Sequence, residues 1–166
     1  DGTQVDIVFD HHPIRQASRA ARFTDVRRDY GATSTILFEY LQALNLEPPV
    51  PLATGLCYGI RSDTQDLGRE STKADIGAFV ALYPSANKRV LGRIQFAPEP
   101  AEYFRVLATA LRNAVVYGKC VVSSLGEVNC QEIVAETADL LVRYEAVSWA
   151  LTFGSHDGVL HLSLRT

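Results

Sequence analysis

The stretch Val5-Asp6-Ile7-Val8-Phe9-Asp10-His11-His12 sets one carboxylate and two adjacent imidazoles at the end of an apolar, β-branched run. A neutral imidazole can ligate manganese, zinc or iron, a neighbouring carboxylate can orient the ring by accepting its other N–H, and a second histidine can exchange protons near pH 7. Further along, Gly59-Ile60-Arg61-Ser62-Asp63-Thr64 is again an apolar run ending in an aspartate. Asp63 offers the hard anionic oxygen a second divalent ion needs, and Arg61, Ser62 and Thr64 offer donors to phosphate oxygens. The second stretch alone is ordinary loop chemistry, whereas the first stands at the end of a strand, where ligands bind. Taken with His11 and His12, the second stretch becomes informative.

The flanking sequence must position these residues. Near-continuous apolarity over residues 5–9 predicts a strand buried on both faces, as in a parallel sheet, where ligands gather beyond the carboxyl ends of the strands. Ala21 to Val26 is a weaker strand candidate. After Tyr30-Gly31 the spacing predicts a helix capped by Thr33 or Ser34, with Ile36, Leu37, Tyr40, Leu41 and Leu44 on one side and Pro48, Pro49 and Pro51 ending it. Leu52 to Ile60 reads as a helix leading into an active-site loop. Thr72 and Asp75 form a capping signature for a helix whose face would be Ile76, Phe79, Val80 and Tyr83, stopped by Pro84.

Residues 86–99 read as a connector, and the stretch from Pro100 begins a longer amphipathic helix. From Gly118 a second α/β unit is expected: a strand at Val121-Val122-Ser123, a helix from about Glu132 to Tyr144, and strands near Val147–Phe153 and Val159–Leu164. In the last strand Leu160, Leu162 and Leu164 alternate with His161, Ser163 and Arg165, predicting one buried face and one polar, anion-capable face. His156, in Gly-Ser-His-Asp-Gly, reads as a turn residue.

The 166 residues carry a formal net charge of −3 and a pI near 5.8, which excludes a broad basic nucleic-acid surface. No apolar run approaches a membrane span and no secretory leader opens the chain, so a cytoplasmic protein is expected. Cys57, Cys120 and Cys130 are odd in number, widely spaced and expected as small core residues, not as a disulfide or zinc framework.

With both stretches in view, the chain resembles the DHH phosphoesterases, named for the tripeptide seen here as Asp10-His11-His12. The resemblance extends through "FTDVRRDYGATSTILFEYL" and "GIRSDT" over most of residues 5–90, and is of the branch that includes nanoRNases, nucleoside-bisphosphate phosphatases and RecJ-like proteins. It implies an α/β architecture in domains at 1–90 (the C-terminal part of a parallel-sheet DHH domain), 91–117 (connector and linker helix) and 118–166 (part of a smaller DHHA1-like domain, through "GVLHLSLRT"). It also implies a two-metal phosphoesterase, usually using Mn²⁺ with Mg²⁺ as an alternative, that hydrolyses short single-stranded oligonucleotides or nucleotide phosphates. Carried over by residue, His11 and Asp63 would be metal ligands and His12 a general acid at the phosphate or leaving group. Asp10 would support the cluster, and Arg165, with His161 on its face, would bind phosphate or the substrate's far end beside Arg61 and Thr64.

The family has more carboxylates than this chain supplies: only Asp1 and Asp6 precede Asp10, and the sequence stops at Thr166 before the family's glycine-rich, histidine-containing motif. Asp1 has no methionine before it and the chain contains none. The expectation is an interior segment of a longer enzyme with part of the ligand set, weak in metal binding, inactive by itself, and able to form a homodimer through an exposed sheet edge. Two other readings fit the same residues, a non-catalytic nucleotide-sensing module and an inorganic pyrophosphatase.

Overall fold

The apolar run after Val5 forms β1 (Ile7–Asp10), which pairs in parallel with β2 (Phe23–Val26), Ile7 opposite Phe23 and Asp10 opposite Val26. The computed structural model describes residues 5–14 and 16–166; Asp1 lies outside them. Parallel strands need a crossover of about a dozen residues, and here residues 11–22 supply it, so the two histidines open the crossover. The architecture is mixed α/β, in two units that divide after Ala97. No helix among the described residues is long and apolar enough to cross a membrane.

In the first unit, α1 (Thr33–Ala43), α2 (Val50–Asp63), α3 (Lys73–Leu82) and α4 (Lys88–Gln95) enclose a core that includes Phe38, Leu56, Cys57, Ile60 and Leu82. The ring of Phe9 packs against Phe23 and Tyr40, with centroids 5.7 and 5.1 Å apart, and so docks the strand pair on α1. Gly59 allows α1 and α2 to close up: a Cβ there would lie 2.2 Å from Ser34 Oγ. Pro49 caps α2 and Pro51 lies in its first turn, where a missing N–H costs nothing. The predicted capping box is present, with the Thr72 hydroxyl accepting from Asp75 N–H and the Asp75 carboxylate accepting from Thr72 N–H.

Three expectations about which side faces inward are corrected. Strand β1 is not buried on both faces: the sheet has two strands among the described residues, and Ile7 is 58% exposed. Helix α1 is capped at Ala32 with no side-chain contribution, because Thr33 and Ser34 are already its first helical residues, and its buried residues are Thr35, Ile36 and Phe38. In α3 the inward residues are Asp75, Ala78 and Leu82, whereas Ile76 and Val80 are exposed. Asp75 turns the helix this way, since its carboxylate is completely buried and hydrogen-bonded.

The second unit has α5 (Ala101–Asn113), β3 (Val115–Tyr117), β4 (Cys120–Glu127), α6 (Glu132–Leu141), β5 (Trp149–His156) and β6 (Val159–Arg165). The sheet order is β3-β4-β5-β6, and only the β4–β5 pair is parallel, with α6 as its crossover. Ser123 Oγ donates to the Ala110 carbonyl of α5 and Thr152 Oγ1 to the Val134 carbonyl of α6, so both helices cover the sheet face that carries Val121, Leu125 and Ala150.

That placement reverses the expectation for the last strand. Ser163 is buried on the helix side, where Arg165 reaches Asp139 of α6, while Leu160, Leu162 and Leu164 are 67%, 62% and 49% exposed. Of the cysteines only Cys57 is a core residue; Cys130 is exposed. His156 ends β5 and not the turn itself, which is Asp157-Gly158, and its Nδ1 lies 3.0 Å from the Val128 carbonyl.

Candidate functional site

Asp10 is the last residue of β1, and the chain folds over its carboxylate at once. Oδ1 accepts the backbone N–H of His11 at 2.8 Å, that of His12 at 3.0 Å and His12 Nδ1 at 2.9 Å. The His12 backbone N–H, then its imidazole, hold the Asp10 carboxyl below the usual carboxylate range. An ionised carboxylate can only accept, so His12 carries its proton on Nδ1 and turns Nε2 outward. His11 Nδ1 lies 2.8 Å from Thr33 Oγ1 on α1, and in the tautomer that ligates a cation Nδ1–H donates to that hydroxyl. The two rings are 4.1 Å apart between centroids.

One ligand atom from each of Asp10, His11 and His12 lies within 4.8 Å of the others, a group that does not include Asp63; with Asp10 Oδ1 engaged by three donors, His11 is the member of the group left to ligate a cation. Asp63, the last residue of α2, lines the same cavity as His11 and His12. That cavity, about 670 Å³, is also lined by Arg28, Tyr30 and Gly31 from the β2–α1 loop and by Arg69, Glu70 and Thr72 from the α2–α3 loop. The donor set is nitrogen and carboxylate oxygen, which fits Mn²⁺, Zn²⁺ or Fe²⁺ and not a soft ion.

Within the first unit, Arg61 and Thr64 do not line this cavity. Arg61 donates to Asp66 at 2.6 Å and to Gln95 at 2.9 Å, in a separate cavity with Tyr58 and Ser62. Thr64 is fully buried, donates to the Ile60 carbonyl and accepts from Leu67 N–H, so it braces the turn after α2. Arg165 and His161 belong to the second unit, Arg165 held by Asp139 at 2.6 Å.

Behind the site, residues without a motif fix its walls. Arg27 N–H donates to the Asp10 carbonyl, and the Arg27 guanidinium forks onto Asp25 while also reaching Glu39 and Tyr30. Tyr40 donates to Asp25 and Tyr30 to Glu39, each at 2.8 Å. The Asp25 hydrogen bonds raise the Arg27 pKa further above its ordinary value and lower that of Asp25. Asp75 does the same for the loops, accepting from Gly31 N–H at 2.9 Å, from Thr72 N–H and Oγ1–H at 2.8 and 2.7 Å, and from Thr35 Oγ1–H. Neither cluster has a sequence signature beyond the Thr72–Asp75 capping box.

No family model matches the chain. An uncharacterized protein of Methanocaldococcus jannaschii is 36% identical over 163 residues, which cover 98% of this chain and 34% of that protein. The crystal structure of an exopolyphosphatase-related protein from Bacteroides fragilis matches with a TM-score of 0.82 at 16% identity, over 98% of this chain and 51% of that one. The chain therefore spans about a third of its curated relative and half of this structural neighbour. The structural likeness is one of fold.

Proposed function

We propose that this chain is part of a metal-dependent phosphoesterase of the DHH type, acting on nucleotide phosphates or short single-stranded oligonucleotides with Mn²⁺, or Mg²⁺ in its place. One observation carries the reading: the end of β1 and the end of α2, some fifty residues apart, present His11, His12 and Asp63 to one cavity. The fold shared with an exopolyphosphatase-related protein supports it.

His11 Nε2 and the Asp63 carboxylate are the ligands in this proposal, and Thr33 fixes the His11 tautomer. The bound cations supply charge neutralisation on the phosphate and a water acidified toward hydroxide at neutral pH. His12, with Nδ1–H held by Asp10, acts in this proposal from its doubly protonated form, giving the Nε2 proton to the departing oxygen and taking one from solvent afterwards. Asp10 is a positioning residue, because its Oδ1 is already engaged by three donors.

Titration with Mn²⁺, followed by the loss of the free-ion electron paramagnetic resonance signal, tests the reading. Weak binding that disappears in His11→Ala and falls in Asp63→Asn is expected, as is hydrolysis of a nucleotide phosphodiester by the longer parent protein that His12→Ala removes. Mn²⁺ binding indifferent to both ligand substitutions would overturn the assignment. Hydrolysis unchanged by His12→Ala would favour a different acid.

A further inference from the structure

We propose that Arg28 and Arg69 form an anion clamp in the His11–His12–Asp63 cavity, selecting substrates that carry a second phosphate beside the reacting one. The proposal rests on the phosphoesterase reading for the reacting phosphate and adds residues to it.

Two arginines line that cavity, from different loops. Arg28 follows β2, and Arg69 lies between α2 and α3. In the same unit Arg27 is held by Asp25 at 2.8 Å and Arg61 by Asp66 at 2.6 Å. Arg28, by contrast, has no side-chain hydrogen bond or ion pair among the described residues, and the nearest carboxylate oxygen to Arg69 is that of Glu70 at 3.9 Å, in an exposed pair. An arginine fork kept open in a cavity is suited to the paired oxygens of a phosphate, which it binds by two parallel hydrogen bonds.

The loops that carry the pair are fixed to a common anchor. Asp75 holds Gly31, three residues after Arg28, and Thr72, three residues after Arg69. A Cβ on Gly31 would come within 2.7 Å of the Glu70 carbonyl, so the two loops are in direct contact beside the cavity. The two loops that carry the arginines are thereby held beside one another. The cavity volume of about 670 Å³ lies in the range of sites that enclose ligands much larger than one phosphate ion.

The probes are orthophosphate, pyrophosphate and tripolyphosphate, titrated calorimetrically into the chain with and without Mn²⁺. Tripolyphosphate is expected to bind at least tenfold tighter than orthophosphate. Arg28→Gln and Arg69→Gln should each weaken it about ten- to a hundredfold, the change expected for a lost charge-assisted hydrogen bond. Arg89→Gln, on α4 and outside the cavity lining, should leave it unchanged. Circular dichroism confirms that each variant is folded.

Equal affinity for the three anions, or loss in Arg89→Gln equal to that at Arg28 and Arg69, overturns the clamp. If the arginines matter only without Mn²⁺ and His11→Ala leaves Mn²⁺ binding intact, the clamp holds and the metal assignment fails. If His11→Ala removes Mn²⁺ binding while both arginine variants bind tripolyphosphate normally, the metal assignment holds and the clamp fails.

Discussion

The carboxylate of Asp75 accepts the backbone N–H of Gly31 at 2.9 Å across 44 positions of sequence, and both residues are completely or nearly completely buried. This one contact joins the helix that follows the α2–α3 loop to the loop that precedes α1. Burial opposes the charge, yet hydrogen bonds from Thr35, Thr72 and Gly31 outweigh it and lower the Asp75 pKa.

Replacing that anion tests its weight. Asp75→Asn keeps the shape but turns an N–H₂ toward groups that are donors, and should lower stability by about 2–4 kcal/mol in urea unfolding at pH 7. A lowered native pKa means the unfolded state takes up the proton first, so stability present at pH 7 declines as pH falls through the unfolded value near 3.9 and toward the native one. The wild type should show this acid-side slope in its urea midpoint, and Asp75→Asn should lack its share.

Gly31→Ala adds a methyl group to a site with no room. Its Cβ would lie 2.7 Å from the Glu70 carbonyl, 2.8 Å from Thr64 Cγ2 and 2.9 Å from Asp75 Oδ2. A loss of about 1–3 kcal/mol is expected, the usual cost of overpacking, measured by thermal unfolding.

Thr33→Val removes the partner of His11 Nδ1 while preserving a β-branched side chain at the start of α1. Under the proposed function, Mn²⁺ affinity should fall about ten- to a hundredfold with little change in melting temperature, because the supporting partner of a ligating imidazole sets its tautomer and aim. Calorimetric Mn²⁺ titration paired with a melt separates these effects.

Ser163 Oγ is buried without a hydrogen-bond partner among the described residues. Ser163→Ala should therefore be neutral or stabilising, by up to about 1 kcal/mol, whereas a polar residue in a satisfied network would lose stability on truncation. Urea unfolding of the variant decides.

The exposed leucines of β6 should bind a dye that reports apolar surface, and Leu162→Lys should reduce that fluorescence without unfolding the sheet. Dye binding equal in the two proteins would contradict the orientation of this strand.

Element type was legible in the sequence where periodicity and breakers agree: the strand before Asp10, the capping box at Thr72 and Asp75, and the hairpin around Asp157-Gly158 all have local causes. Orientation was less so. Alternation at Leu160, Leu162 and Leu164 establishes that two faces differ, but which face is covered depends on where α5 and α6 cross the sheet. Likewise Ile76 and Val80 lose the inward position to Asp75, because a buried carboxylate with several donors overrides the rule that charges face water. Asp10-His11-His12 and Asp63 were visible by residue type. Arg28, Arg69 and Thr33 were not, since their relevance comes from loops folded against residues remote in sequence.

The doublet Arg27-Arg28 reads in a linear scan as a single basic step. The two-residue period of the strand that leads into it gives the neighbours opposite employment: one guanidinium is enclosed by two acids and two phenol rings, the other is left open to a visiting anion. Identical chemistry at adjacent positions thus has unequal tolerance to change. Lysine at 28 keeps a cation in the cavity but gives up the fork proposed to grip a phosphate, so its cost falls on anion binding, whereas lysine at 27 cannot reproduce the fork that ties Asp25 and Glu39 together, so its cost falls on the fold.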